Sequence, residues 1–301
     1  MRTPEASRLR AFLLRPLAGE PEPGTALGIG FLKNLQGSIP SGQRPAPSDE
    51  ILCLALRDAE EIEISPIGHI AKGEWKPQGL HRPYRLVFRS GIDAGLVTTR
   101  QAVLKTTVLH RENRRFRESM DPRVTGAERE VLAYQIDRAC GFGLVPPTIL
   151  REIEGVGTGS VQAWVNAPTA WEWLNRGYDY RTDTGNLWLH RLAAFDFITG
   201  QIDRHANNFI MDEGRRVYAI DNGYTFPQGD DRRWMRSSVG KHLKGQMIHP
   251  QVRAEIQAVA PDTIRRVLAT ADFQHDEAGG VTQRLLELQR TQAWRRLGTL
   301  W

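Results

Sequence analysis

Between Gly200 and Gly223 the chain places two aspartates and an asparagine in an order that regular secondary structure alone does not require. Upstream, Trp188, Leu192, Phe195 and Ile198 recur at helical spacing, and Gly200 falls where a helix ends in a left-handed cap. The polar run Gln201-Ile202-Asp203-Arg204-His205-Ala206-Asn207-Asn208 follows. Two short apolar pieces, Phe209–Met211 and Val217–Ile220, are joined by Asp212-Glu213-Gly214, which predicts a hairpin. Asp221-Asn222-Gly223 closes the segment, so Asp221 stands at a strand end, 18 residues after Asp203.

Taken singly, these residues are ordinary turn formers, because Asp and Asn hydrogen-bond their own backbone. Taken together, they meet the needs of phosphoryl transfer from a nucleotide. That reaction wants hard oxygen ligands for magnesium, a carboxylate facing the acceptor hydroxyl, and charge to neutralise phosphates. Asp203 fits the second role, and Asn208 with Asp221 the first. An imidazole such as His205 is suited to proton handling near neutrality, and is equally at home as a hydrogen-bonded structural histidine. Arg204 reads as a structural tie to a neighbouring carboxylate.

The rest of the chain sets the frame. With 301 residues, 40% of them hydrophobic and 25% charged, it has enough apolar material for one large domain or two typical ones. Collagen, a disulfide-stapled miniprotein and a wholly disordered chain are excluded. No apolar run reaches the ~18–20 residues of a membrane span. Ala11–Leu14 is too short for a signal sequence, so a cytoplasmic location is expected, although an exported effector can carry an unstructured polar N-terminus like this one. Cys53 and Cys140 lie in apolar runs and read as buried free thiols. The net charge of +5 is mild and comes from 34 arginines against six lysines, which disfavours nucleic acid as a partner.

Residues 1–50, rich in Pro, Gly, Ser and Ala, are expected to form a partly ordered N-terminal arm. Strands are expected at Ile51–Leu56, Ile62–Ile70, Tyr84–Phe88 and Ala102–Val108, then a helix at Ala127–Cys140 capped by Gly141. Two more strands follow at Val145–Leu150 and Gly159–Val165, and helical patterns dominate beyond. The arginines at 111, 114, 115 and 117 read as a solvated face, or as an attractor for an acidic substrate or an anionic membrane surface. The fold class is therefore α+β, with an antiparallel-sheet lobe over 51–165 carrying one main helix, beside a mainly helical lobe over 166–301.

Asp203-Arg204-His205-x-x-Asn208 with Asp221-x-Gly223 resembles the catalytic and metal-binding loops of the phosphatidylinositol 3- and 4-kinase-like branch of the protein-kinase fold. The small bacterial members are most alike, with Tyr224-Thr225-Phe226-Pro227 after the metal motif, and the HipA-type kinases are more distant. The resemblance runs from about residue 100 to 230. It implies a bilobal kinase-like fold, ATP, and magnesium with manganese as a substitute. It also implies that Lys105 holds the phosphates and that Glu130, rather than Glu128, pairs with that lysine. Gln162 and Trp164 would lie on the strand entering the adenine site. Asp203 with His205 would serve catalysis, and Asn208 with Asp221 the metal. A compact Gly-x-Gly-x-x-Gly is missing; Gly68–Gly79 is the expected phosphate cover, with Gly91–Gly95 the alternative.

The expected activity is transfer of the γ-phosphate to a protein Ser or Thr. A lipid acceptor, transfer of AMP from inverted ATP, and a nucleotide-binding pseudoenzyme stay open. A hydrolytic metal site built on Asp203, His205 and Asp221 is disfavoured, since it offers three ligands and no second histidine.

Overall fold

The computed structural model describes residues 60–71, 74–77, 83–93, 96–106, 118–228 and 232–294, all within one compact unit, Glu50–Trp301. The expected arm at 1–50, the strand at Ile51–Leu56, Cys53, the arginines at 111–117, and Gly73, Gly79 and Gly95 lie outside the described residues. What is described is an α+β fold with an antiparallel sheet and seven α-helices among the described residues.

Five strands form the main sheet in the order β1-β4-β5-β7-β6: β1 (Glu60–Pro66), β4 (Tyr84–Asp93), β5 (Leu96–Thr106), β7 (Gly157–Ala163) and β6 (Thr148–Ile153). Every neighbouring pair is antiparallel. The run expected as one strand at Ile62–Ile70 is broken in two. Pro66 has no N–H to give; the Ile67 N–H still donates to Pro83 O at 2.7 Å, in register with Pro66 opposite Tyr84, but Pro83 has no N–H to return and the ladder ends there. The chain then makes a separate ribbon, β2 (Gly68–Ala71) on β3 (Glu74–Pro77), between β1 and β4. The stretch expected to cover phosphates is thus occupied by this paired ribbon. Of the other glycine pair, Gly91 lies within β4, two residues before Asp93 pairs with Leu96.

One sheet face is apolar for the reason the alternation predicts. Leu86, Ala102, Leu104 and Val161 are all fully buried and cluster with Ile153 and Ala163. α1 (Gly126–Cys140) packs against β6 and β7. Thr125 and Glu128 make a capping box at its start, and Gly141 takes φ 70° at its end. β6 begins at Thr148 rather than Val145 because Pro146 and Pro147 cannot donate. The Leu144 and Val145 N–H groups go to the buried Asp137 carboxylate instead. Cys140 is buried and unpaired.

Helices make up most of the remainder: α2 (Ala170–Asn175), α3 (Leu187–Thr199), α4 (Ser238–Leu243), α5 (Pro250–Ala258), α6 (Pro261–Leu268) and α7 (Glu277–Arg290). α3 is buried all round from Leu189 to Thr199, enclosed by α1, α4, α5, α7 and β9 (Val217–Ala219). β8 (Phe209–Met211) and β9 form the expected hairpin. Among the described residues no helix is long and apolar enough to cross a membrane.

Both helix-ending glycines are left-handed, yet their surroundings differ. A Cβ on Gly141 meets nothing within 4 Å, whereas one on Gly200 lies 2.8 Å from Pro227 Cδ and 3.0 Å from the Arg284 guanidinium. Gly141→Ala should cost only the left-handed backbone, about 1–2 kcal/mol. Gly200→Ala should lower the melting temperature further, because Pro227 must move; equal losses in thermal melts would contradict the close packing.

Candidate active site

The site is built where β5, α1 and the loop after β9 meet. On β5, Ala102 and Leu104 face the apolar core, so Lys105 points to the other side. Its cross-strand partner is Ser160, and Gln162 lies opposite Val103 on that same second face. The Lys105 Nζ donates to Glu130 Oε1 at 2.5 Å and to Asp221 Oδ1 at 3.0 Å. The lysine and Glu130 side chains are nearly buried, while that of Asp221 is 39% exposed. Glu128 is not a competitor, because its carboxylate accepts from the Thr125 N–H and hydroxyl. Burial works against the Lys105 ammonium, but Asp221 and Glu130 outweigh it and hold the pKa above the usual lysine value. The second Glu130 oxygen is buried with no hydrogen-bond partner.

Gly159 allows this approach. A Cβ there would run into the Lys105 carbonyl and lie 2.7 Å from Leu104 Cδ1. Asp221 itself has φ 58°, a left-handed conformation that Asp tolerates better than most residues. Gly223 is buried against the first turn of α1, where a Cβ would sit 3.4 Å from Gly126 O.

The Asp203–Asn208 loop hangs on one buried guanidinium. Arg204 Nε donates to Asp196 Oδ1 at 3.0 Å, Nη1 to Asn208 O at 2.5 Å and Ile220 O at 2.6 Å, and Nη2 to Asn222 Oδ1 at 2.6 Å. The carboxylate that Arg204 reads is thus Asp196 on α3, whose other oxygen accepts from Ser237 Oγ at 2.7 Å. Asn208 Nδ2 donates to Asp203 O at 2.8 Å, which leaves the amide oxygen as the group this side chain offers. The Ile220 N–H donates to Asn208 O at 3.1 Å, so Asp221 follows directly from a residue bonded to Asn208. Asp203 and His205 are half-exposed, with His205 Nε2 at 3.9 Å from Asp203 Oδ2. The Asn207 N–H donates to His205 Nδ1 at 3.3 Å, which turns Nε2 toward the aspartate.

Six of the eight expected residues therefore form two joined groups: Lys105, Glu130 and Asp221, and Asp203, His205 and Asn208. The other two stand apart from them. Gln162 is buried and donates to Thr148 Oγ1 at 2.9 Å. Trp164 lies just beyond β7, 40% exposed, its backbone N–H donating to Gln101 O at 3.1 Å and the Arg85 guanidinium 5.8 Å over its ring. Asp196 and Asn222 were missed from the sequence, although Asp196 carried a signal as the one charge inside Phe195-Asp196-Phe197.

Among the described residues no group of three or more His, Cys, Asp or Glu is arranged to hold a metal. Magnesium does not need one, since it binds through one or two protein oxygens together with phosphates and water. The Asp221 carboxylate and the Asn208 amide oxygen are a donor set of that kind, so the residues fit the ion.

Arg204→Met should leave Asp196 buried without its partner and cost about 3–5 kcal/mol in urea unfolding. Adding Asp196→Leu should recover part of that loss. A cost below about 1 kcal/mol for the single variant would contradict the buried network.

No protein-family model matches the chain. Protein Rv2133c of Mycobacterium tuberculosis is 27% identical over 132 residues, which covers 34% of this chain and 47% of that protein. The chain thus spans about half of that relative's length, and the relative's name states no activity.

Proposed function

We propose that the chain is an ATP- and magnesium-dependent phosphotransferase with a bilobal, protein-kinase-like arrangement. It would move the γ-phosphate to a hydroxyl, with a protein serine or threonine as acceptor. The observation that carries this reading is the convergence of Lys105 with Glu130 from α1 and Asp221 from the metal loop, across 116 residues of sequence. A strand lysine, a helix glutamate and an aspartate after a short hairpin are the three groups that must be in place for kinase chemistry.

The geometry supports a role for each residue. An ammonium has three N–H donors, and Lys105 spends two on carboxylates, so one remains for a phosphate oxygen. Glu130 fixes the direction of that donor. Asn208 and Asp221 would hold magnesium, which when bound supplies charge neutralisation at the transferring phosphoryl group. Asp203, half-exposed on its loop, accepts the proton of the acceptor hydroxyl as the oxygen attacks phosphorus and the bond to ADP breaks. His205 stands beside it to share that proton. Trp164, exposed at the end of β7, is available to the adenine ring.

Purified protein incubated with magnesium and γ-labelled or α-labelled ATP tests this directly. Label should pass to protein acceptors from the γ position only; transfer from the α position would mean adenylylation, and transfer to inositol lipid but not protein would move the acceptor. Asp221→Ala should abolish transfer without loss of the folded melt, and full activity there overturns the metal assignment. Asp203→Asn should cost about 10²–10⁴-fold in kcat.

A further inference from the structure

We propose that Arg129 is a positioning residue that sets the Lys105–Glu130–Asp221 contact by pinning α1 to the segment just after the metal loop. This rests on the phosphotransferase reading and adds how that site is kept assembled.

Arg129 is adjacent to Glu130 and therefore about 100° further round the helix. Glu130 reaches the sheet, and Arg129 reaches the other way. The arginine is fully buried, and its fork is almost entirely spent on backbone carbonyls. Nη1 donates to Thr225 O at 2.8 Å and Phe226 O at 2.7 Å, Nη2 to Asp121 O at 2.9 Å, and Nε to Val124 O at 3.2 Å. The Phe273 ring lies 5.4 Å from the guanidinium carbon. Thr225 and Phe226 come four and five residues after Asp221.

The receiving segment is itself held in a costly shape. Phe226 is fully buried with φ 57°, a left-handed conformation that a bulky residue adopts only under constraint. Its N–H donates to Thr199 O at 2.8 Å, so the carbonyl given to Arg129 comes from a residue already fixed to the end of α3. The Thr225 hydroxyl donates to Asn222 O at 2.8 Å, and Gly223 packs on Gly126. α1 therefore cannot shift relative to Asp221 without breaking two charge-assisted bonds and opening the Gly126–Gly223 contact. Both carboxylates that meet Lys105 are set by one guanidinium that touches neither.

A lysine at 129 offers one ammonium in place of a planar fork and cannot reach four carbonyls, so it is the graded variant. The experiment compares wild type, Arg129→Gln, Arg129→Lys and a control, Leu285→Ala, which removes a fully buried side chain of α7 that takes no part in the Arg129 hydrogen bonds. Each is followed by thermal melt, by ATP kinetics, and by the acylation rate of Lys105 with an amine-reactive ester, read by mass spectrometry.

Arg129→Gln should speed Lys105 acylation about tenfold and lower kcat more than it raises KM for ATP, with Arg129→Lys between it and wild type. The control should stay within about twofold of wild type in acylation despite its lower melting temperature. Should Arg129→Gln fail to fold, Arg129→Lys decides, with about threefold faster acylation expected. Unchanged acylation in the folded Arg129 variants, or an equal rise in the control, overturns the proposal. Faster acylation with no transfer from ATP in any form, wild type included, keeps the positioning role and overturns the phosphotransferase reading.

Discussion

The site depends on burying one cation. Arg204 has no exposure in its side chain, and such a charge is tolerable only if every donor finds an acceptor. Its acceptors come from α3, from the end of the Asp203–Asn208 loop, from the residue before Asp221 and from the residue after it. Satisfying the guanidinium therefore fixes the spacing of the loop that carries Asp203 and Asn208 and the loop that carries Asp221. Half-exposed carboxylates are ordered by an interaction that never meets solvent.

A second buried arginine does for α1 what the first does for the loops, and the two share a neighbourhood. Arg204 binds Asn222, and Arg129 binds Thr225 and Phe226, so the short segment after Asp221 is gripped from both sides. Such a segment has little freedom to rearrange independently. Lys105 completes the arrangement from the sheet, where its position is set by strand pairing rather than by a loop. Rigid elements thus supply the lysine and the glutamate, and a tightly braced loop supplies Asp221.

How much of this was legible follows from the range of each interaction. The helix expected over 127–140, which begins at Gly126, was readable because its apolar spacing and Gly141 are local; the Thr125–Glu128 capping box is equally local. The capping box also explains why Glu130 rather than Glu128 is available to Lys105. The break at Pro66 and the late start of β6 at Thr148 follow from missing proline donors, but only once strand partners are known, and partners are not local. Arg129 and Asp196 were illegible as partners because the groups they meet are set by packing, up to 97 residues away in the case of Phe226. Gln162 and Trp164 both fall in the strand expected over 159–165, with Trp164 just past the observed β7, yet nothing in one sequence fixes what their side chains touch.

Gly159 carries no chemistry, and in a list of functional groups it would be passed over. Its missing side chain is nevertheless what lets β7 lie so close behind the lysine, since the first atom of any other residue would collide with the Lys105 carbonyl itself. The glycine works as a spacer gauge for the pairing of β5 with β7 beside Lys105. Tolerance to change at 159 should therefore resemble that of a reacting residue, although the position contributes only an empty volume.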